Sequence, residues 1–382
     1  MHLRPFQLER YFARYEFNVD YVLCASDCES VPIGELLALE PDAAERFARL
    51  WLGYTESLGS LSLRDQIARL YSTIAVETLH GNVSTGGQVL VHSGAEEAIF
   101  LFMHAVLGPG DHVIVHWPCY QSLEEVARGI GCQVTRWEAR VQNDWALDLD
   151  ELRGHLRPAT RVIVVNIPHN PTGYLMDGAT QRELVAIAAE RGIVLFSDEV
   201  YRESEHRPED RLPAACDLDE NAVSLGVMSK TYGLPGLRIG WIATHNREIY
   251  ARMAALKDYT TICASAPSEF LAELALRHRH RLTVRNREII RHNLDVLDAF
   301  FARYSDRFTW QRPKAGPIAF PKLLGAQVAE FCDQLVRQSG VLLLPGTLYE
   351  HPGNHFRIGF GRRNLPEAIG RLEDFLAMYG RA

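Results

Sequence analysis

A lysine at the end of an apolar run is the first residue in this sequence that could do chemistry. Lys230 follows the run AVSLGVM and precedes the turn-forming stretch TYGLPGLR. A lysine that emerges from a core strand is partly removed from water, which lowers its pKa. A neutral amine can attack an aldehyde and form an imine. An ordinary exposed lysine at a strand end is the alternative, so the neighbouring motifs must decide.

The segment SDEVY at 197–201 supplies a second reactive group. Asp198 closes the apolar run IVLF, and a buried carboxylate needs a cationic partner. A protonated ring nitrogen would be such a partner, and the phenol of Tyr201 could reach an oxygen on the same ring. The alternative is an Asp that caps a helix, followed by a core tyrosine.

The segment NIPHNPTG at 166–173 ends a strand and forms a turn. Asn170 precedes a proline and Gly173 allows the chain to reverse, so the Asn170 amide could donate a hydrogen bond from a fixed position. A simple Asn-Pro turn is the alternative. The order of these eight residues ahead of SDEVY favours a binding site.

The segment HSGAEEAI at 92–99 joins a strand to a helix. The first amides of a helix form an anion site, so the backbone N–H groups of Gly94, Ala95 and Glu96 could hold a phosphate. We expect the side chains of Glu96 and Glu97 to point away from that anion, so that only backbone amides contact it. Plain helix capping by Ser93 is the alternative.

Two arginines and a tyrosine extend this set. Arg238 follows Lys230 and could grip phosphate oxygens as a rigid fork. Tyr120, just after a strand, could stack on a flat ring. Arg357 lies inside the apolar run HFRIGF, where a buried guanidinium demands an anion such as the carboxylate of an amino acid. A structural salt bridge is the alternative for Arg357.

The elements that must position these groups alternate between strand and helix from about residue 89. Several strand-like runs are continuously apolar, as in strands covered on both faces: VLVH, HVIVH, RVIVVNI, IVLF and AVSLGV. This alternation predicts an α/β fold with an open, mainly parallel sheet wrapped by helices. Ligands bind beyond the carboxyl ends of strands in such sheets, where the reactive residues lie.

The domain organisation follows from changes in this pattern. We expect residues 1–45 to form an N-terminal segment that joins the small domain, residues 46–304 to form a large domain, and residues 305–382 to form a small α+β domain.

Composition excludes several classes of protein. The 382-residue chain is 47% hydrophobic with a net charge of −8, which argues against binding to nucleic acid or an anionic membrane. Its N-terminus lacks the apolar region of a secretory signal. Seven scattered cysteines without a CxxC pair predict reduced thiols in the cytoplasm and no metal site.

Together these motifs resemble the class I/II aminotransferases of fold type I, which use pyridoxal 5'-phosphate (PLP). The match runs from GYTESLGSLSLRDQIA at 53–68 to HFRIGFG at 355–361. The resemblance implies a Schiff base between PLP and Lys230, and Asp198 on the pyridine nitrogen. It also implies that Tyr54 reaches the phosphate in a partner subunit, and hence a homodimer.

The resemblance assigns further roles and shows one departure. It implies that Tyr120 stacks on the ring, that Asn170 and Tyr201 reach the ring's 3-oxygen, and that Arg357 binds the substrate carboxylate. Many members carry a hydroxyl residue three positions before the lysine as a phosphate ligand. Here that position is Val227, and Ser229, next to the lysine, is the candidate cofactor contact instead.

The N-terminal stretch at 21–40, together with LERYFARYEF at 8–17 before it, resembles capreomycidine synthase-type enzymes, which cyclise hydroxylated arginine derivatives. Its candidate substrate contacts are Ser30 and Gly34, together with the polar residues Ser26, Asp27 and Glu29. Acidic groups would suit a cationic guanidinium. A solvated loop is the alternative.

The resemblance leaves three functions in view. The first is an aminotransferase that moves the amino group of an L-amino acid to a 2-oxo acid. The second is a PLP-dependent lyase or cyclase that uses β- or γ-elimination. The third is a non-catalytic regulator; regulators of this fold usually carry a DNA-binding domain, and the chain begins too close to the fold to hold one.

Overall fold

The computed structural model describes residues 2–75 and 88–379. In this part of the chain a seven-stranded sheet has the order β1-β7-β6-β5-β4-β2-β3. The strands are β1 (Gln88–His92), β2 (His112–Trp117), β3 (Gln133–Glu138), β4 (Thr160–Asn166), β5 (Val194–Asp198), β6 (Ala222–Val227), β7 (Gly240–Thr244), β8 (Phe308–Thr309), β9 (Ile318–Ala319), β10 (Lys322–Leu323), β11 (Leu344–Pro345) and β12 (Phe356–Gly359).

The helices surround this sheet and build the C-terminal part. They are α1 (Gln7–Tyr15), α2 (Ile33–Leu37), α3 (Ala43–Ala48), α4 (Leu61–Ala68), α5 (Ala95–Val106), α6 (Ser122–Ile130), α7 (Leu149–His155), α8 (Gly178–Glu190), α9 (Ala215–Leu218), α10 (Arg247–Lys257), α11 (Ala266–Arg277), α12 (Arg279–Arg303), α13 (Val328–Ser339) and α14 (Leu365–Met378).

The central strands are buried on both faces, as their apolar runs predict. Strands β3, β2, β4, β5 and β6 pair in parallel, whereas β7 is antiparallel to both β6 and β1. Phe102 of α5 packs on Phe196 on one face of the sheet. Leu184 of α8 packs with Leu195 on the other face. This confirms the α/β fold with a mainly parallel sheet.

A smaller sheet and three helices form the C-terminal part. Strands β11, β12 and β9 pair antiparallel, and α12, α13 and α14 contribute Leu294, Phe331 and Phe375 to one apolar core. The N-terminal stretch joins this part, because the Gly359 amide donates to the Leu23 carbonyl at 2.7 Å and Tyr21 bridges to Val341. The domain boundaries at 45 and 304 stay a prediction.

Element boundaries differ from the sequence expectation at three places. The run VLLLP forms a strand only at Leu344–Pro345, and the long helical stretch after residue 244 is three helices, α10 to α12. The strand expected to begin at Arg238 begins at Gly240, because Arg238 has φ of 51° and ends a short 3-10 turn. None of the described helices has the length and apolar character that a membrane span needs.

Candidate active site

A cavity of about 390 Å³ lies at the carboxyl ends of the parallel strands. Strands β4, β5 and β6 end there at Asn166, Asp198 and Val227, and all three residues line it. The sequence motifs therefore converge at the edge of the sheet where open α/β folds bind ligands. Residues of the predicted site that line the cavity are Ala95, Glu96, Tyr120, Asn170, Asp198, Tyr201, Ser229, Lys230, Arg238 and Arg357.

Lys230 is held over the cavity by the turn that follows β6. The Gly233 amide donates to the Lys230 carbonyl at 3.1 Å, and Gly233 has φ of 69°, a conformation that glycine adopts without strain. The Lys230 Nζ donates to the Ser26 hydroxyl at 2.9 Å. Burial lowers the pKa of Lys230, so its neutral, nucleophilic form exists at a lower pH than in an exposed lysine.

Asp198 is a buried carboxylate whose backbone is fixed by Asn166. Its Oδ1 accepts from the Val200 amide at 3.2 Å, while the Asn166 side chain donates to the Asp198 carbonyl at 3.0 Å. Burial raises the pKa of Asp198 to about 7, although the charge of Lys230 opposes that shift. The site thus favours a bound cation beside Asp198, since pairing would stabilise the ionised carboxylate.

Asn170, Tyr349 and Arg357 form one hydrogen-bonded group. Arg357 Nη1 donates to the Tyr349 hydroxyl at 2.7 Å and to Asn170 Oδ1 at 3.2 Å, and its Nε donates to the Cys24 carbonyl at 3.0 Å. The Tyr349 hydroxyl donates to the same Asn170 oxygen at 3.0 Å. The Asn170 oxygen is therefore engaged, and its amide nitrogen is the atom that can donate to a ligand.

Arg357 is 1% exposed and lines the cavity. Within residues 2–75 and 88–379, its polar partners are carbonyl, amide and hydroxyl oxygens, and no carboxylate forms an ion pair with it. The structural salt bridge considered as an alternative is therefore absent from the described part of the chain. A buried guanidinium that has no carboxylate partner is suited to bind an anionic group of a ligand.

The N-terminus of α5 and Arg238 form the anion end of the cavity. Gly94 caps α5 with φ of 84°, and a Cβ on Gly94 would lie 2.5 Å from Arg238 Nη2. Glycine at this position therefore lets the guanidinium approach the first amides of the helix. A Cβ on Gly240 would meet the same backbone, at 2.8 Å from the Ala95 nitrogen.

The side chain of Glu96 remains near this end of the cavity. Its carboxylate accepts from the Ser122 hydroxyl at 3.1 Å, and burial raises its pKa to about 7. Glu97 turns away and accepts from the Ser93 amide and from Thr260. The side chain of Glu97 therefore lies away from the cavity, whereas that of Glu96 lines it, and the expectation that only backbone amides contact the anion stays a prediction.

Two aromatic residues and one apolar residue complete the walls. Tyr120 lines the cavity and donates its hydroxyl to Glu9 at 3.0 Å. Tyr201 is 1% exposed, and its hydroxyl donates to the Ser26 carbonyl at 3.1 Å. Val227 faces the cavity at the position without a hydroxyl, and Ser229 lines it as well.

Four residues of the predicted site do not line the cavity of this chain, and one of them, Gly94, adjoins Arg238 at its anion end. Tyr54 is 83% exposed, so its expected role toward a partner subunit stays a prediction. A Cβ on Gly34 would have no other atom within 4 Å, and the Ser30 carbonyl accepts from Arg285 at 3.3 Å. Neither Ser30 nor Gly34 lines the cavity of this chain, and the expectation that they contact substrate stays a prediction.

The sequence reasoning missed several cavity residues. Helix α1 and its C-terminal end contribute Leu8, Glu9, Phe12 and Glu16. Their spacing in LERYFARYE marks one helical face, but nothing local shows what that face covers. Tyr349 carries no recognisable motif, and Asn166 could have been found as the polar end of an apolar strand.

Comparison with known proteins identifies the family. The sequence pattern described as "Aminotransferase class I and II" matches residues 23–372. The chain belongs to this family. It is similar to capreomycidine synthase of Streptomyces vinaceus, with 31% identity over 98% of this chain and 94% of that protein. It is also similar to an aspartate aminotransferase of Thermotoga maritima, with 28% identity over 85% of this chain and 83% of that protein.

Solved structures agree with this family assignment. A PLP-dependent aminotransferase from Streptococcus suis has a TM-score of 0.90 and 31% identity, and the match covers all of both chains. The PLP-dependent cyclase OrfR has a TM-score of 0.87 and 31% identity over 99% of this chain and 98% of its own. The predicted family, the fold type and a PLP-dependent enzyme are thereby confirmed.

The donor set of the cavity fits PLP. Lys230 offers an amine to the aldehyde, and Asp198 offers a buried carboxylate that has no directly bonded cation among the described residues. Arg238 and the N-terminus of α5 suit a phosphate. Tyr120 offers an aromatic face. These groups come from separate elements and meet in one cavity.

Proposed function

We propose that this PLP-dependent enzyme acts on the α-carbon of an L-amino acid and transfers its amino group to a 2-oxo acid. The observation that carries the proposal is Arg357, a buried guanidinium without a carboxylate partner in the described chain, which shares one cavity with Lys230 and Asp198. A substrate carboxylate would supply the missing anion and hold the α-carbon near the amine.

The bound cofactor supplies an aldehyde and a protonated ring that withdraws electrons from the α-carbon. Lys230 is the residue that would hold the aldehyde, and its amine would move the α-proton of the substrate as a general base. Its low pKa keeps a neutral form available, and the Ser26 hydroxyl orients its Nζ. The buried carboxylate of Asp198 would pair with the ring nitrogen and hold a proton there, which would preserve the electron-withdrawing ring.

Asn170 and Tyr201 are proposed to set the tilt of the ring through its 3-oxygen. The Asn170 amide nitrogen is available because its oxygen already accepts from Tyr349 and Arg357. This arrangement links ring position to the carboxylate site, since Arg357 contacts Asn170 directly at 3.2 Å. Gly94, Ala95, Glu96, Ser229 and Arg238 are the proposed phosphate residues.

A homodimer is part of the same proposal. Trp51, Leu52 and Tyr54 are each more than three-quarters exposed and lie together in sequence, in the stretch where the family resemblance places a cross-subunit contact. Exposed large apolar groups that are adjacent suit a protein interface. Tyr54 would then reach the phosphate of the partner subunit.

Elimination followed by cyclisation is the second candidate. The observation in its favour is the similarity to capreomycidine synthase and to the cyclase OrfR, which extends over nearly the whole chain in both cases. The residues named above also serve this route, because both routes begin with removal of the α-proton. A hydroxylated arginine-type amino acid is the substrate class proposed for this candidate.

The experiment that separates the candidates uses the purified holoenzyme with a panel of L-amino acids and no 2-oxo acid. Transamination predicts one turnover per site, conversion of the cofactor to its amine form, and restart upon addition of a 2-oxo acid. Elimination or cyclisation predicts repeated turnover with loss of water or ammonia. Absence of both outcomes across the panel, with cofactor bound, would contradict both candidates.

A further inference from the structure

Helix α1 forms a wall of the cavity that the proposed chemistry does not use. Leu8, Phe12 and Glu16 lie four residues apart and so share one face of the helix, and Glu9 lies beside that face. All four line the cavity. The position of this wall is fixed by packing rather than by the cofactor residues.

Contacts at the N-terminal end and in the middle hold α1 in place. Arg4 pairs with the carboxylates of Glu125 and Glu350 ahead of the helix. The Tyr11 hydroxyl donates to the Leu343 carbonyl at 2.9 Å, and the Gln7 amide donates to the Gln121 side chain at 2.9 Å. Helix α1 thereby contacts both the large sheet domain and the C-terminal part, and its cavity face is preformed.

Two carboxylates on this wall lack a cationic partner. Glu9 accepts from the Tyr120 hydroxyl, and within the described ranges 2–75 and 88–379 neither Glu9 nor Glu16 forms an ion pair. Arg362 lines the same cavity but is occupied, because its Nε and Nη2 donate to the two oxygens of Asp27 at 3.1 and 3.0 Å. Burial raises the pKa of Glu16, and the nearby charges of Arg362 and Lys230 oppose that shift without forming an ion pair with it.

The other charges in the cavity already have uses. Arg357 suits the α-carboxylate, Arg238 suits the phosphate, and Lys230 suits the aldehyde. Asp27 is paired with Arg362, and Glu29 accepts from the Arg363 amide at 2.9 Å. Asp198 and Glu96 also line the cavity, but they lie where the ring nitrogen and the phosphate are proposed to bind. The carboxylates that remain for a substrate side chain are therefore those of α1.

We propose that Glu9 and Glu16 select amino acids whose side chain ends in a cationic guanidinium or ammonium group. The inference rests on the proposed function in one respect, which is that the substrate carboxylate binds Arg357. With that end fixed, the side chain must extend along the remaining cavity walls, of which α1 is one. Charge-assisted hydrogen bonds to two carboxylates would then distinguish a cation from a neutral side chain of the same shape.

The test uses ligands that lack an α-amino group, so that binding does not depend on any reaction. δ-Guanidinovalerate and δ-ureidovalerate have the same shape and differ in the charge of the terminal group. ε-Aminocaproate and heptanoate form the corresponding pair for an ammonium group, since a methyl group replaces the ammonium group at the same chain length. Calorimetric titration of the holoenzyme should show at least one cation binding about tenfold or more tightly than its neutral counterpart, as expected for partly buried charged hydrogen bonds.

Variants of Glu9 and Glu16 test whether these two residues cause the preference for cationic ligands. Glu9→Gln and Glu16→Gln should each reduce the ratio of affinities, and the double variant should abolish it. Glu190→Gln, at the exposed end of α8, removes the same charge far from the cavity and should leave the ratio unchanged. The visible absorbance of the cofactor and the thermal unfolding temperature identify variants that are correctly folded.

Equal binding of the charged and neutral ligands to the native protein would overturn the inference. Failure of both kinds of ligand to bind would also overturn it, and so would a preference for the cation that persists in the double variant. Failure of the proposed function is separately visible. In that case no L-amino acid would react, while the preference for cationic ligands could still be measured.

Discussion

Asp198→Asn gives the sharpest test of how the site is built, because its effects on the apo-protein and the holoenzyme have opposite signs. Burial raises the pKa of Asp198 from an ordinary 3.8 to about 7. At about 1.4 kcal/mol per pKa unit, ionisation of this carboxylate costs the folded apo-protein about 4 kcal/mol at pH 8. Below about pH 4 the carboxyl is neutral in the folded and unfolded chains, and the cost vanishes.

The stability of the wild-type apo-protein therefore includes a contribution that is present at low pH and is lost as pH rises from about 4 to about 7. Asp198→Asn removes this loss, so the apo-variant should be more stable than wild type at pH 8 and similar near pH 4. In the holoenzyme the same change removes the carboxylate that pairs with the ring nitrogen. A broken buried ion pair costs about 3 kcal/mol or more, which predicts at least about a hundredfold loss of kcat.

Denaturant unfolding of cofactor-free protein at several pH values measures the free energy of unfolding directly. The matched control is Asp177→Asn, where the exposed carboxylate caps α8 and hydrogen bonds from Thr180 lower its pKa. That variant should lose a little stability at pH 8, opposite in sign to Asp198→Asn. An apo Asp198→Asn protein that is less stable than wild type at pH 8 would refute the reasoning.

Three further changes have defined outcomes. Arg357→Ala should weaken binding of amino acids by about 2–3 kcal/mol, seen as a raised KM with a smaller change in kcat; an unchanged KM would contradict the proposed carboxylate site. Gly94→Ala should weaken PLP affinity, because the new Cβ would lie 2.5 Å from Arg238 Nη2. The control Gly34→Ala places its Cβ in open space and should leave PLP affinity unchanged. Loss of PLP at equal rates from the two variants during dialysis would count against the phosphate site. Lys230→Ala should abolish turnover while PLP stays bound without a covalent link, measured by the visible spectrum and by release on denaturation; retained turnover would contradict its role.

Much of the fold and of the cofactor end could be predicted from the sequence, for a physical reason. Strands buried on both faces must be continuously apolar, so β2, β4, β5 and β6 are visible in the sequence. In a parallel sheet the residues that follow such strands meet at one edge. Asp198 and Lys230 are therefore placed in one cavity by local sequence alone.

The substrate end could not be predicted in this way. Glu9 and Glu16 reach the cavity because α1 folds back over the sheet, and the contacts that hold it are far apart in the chain, such as Tyr11 with Leu343. Sequence periodicity shows which residues of α1 share one face, but it does not show which part of the protein that face contacts. The same limit explains Ser30, which was expected at the substrate and lies outside the cavity.

The central claim is that one particular amine holds the cofactor. The chain has four lysines, Lys230, Lys257, Lys314 and Lys322, and Lys257 is also buried with a lowered pKa. Borohydride reduction of the holoenzyme followed by peptide mass spectrometry should find the reduced cofactor attached to Lys230 alone. Attachment to Lys257 or another lysine, or no attachment in protein that shows the cofactor absorbance, would contradict the account.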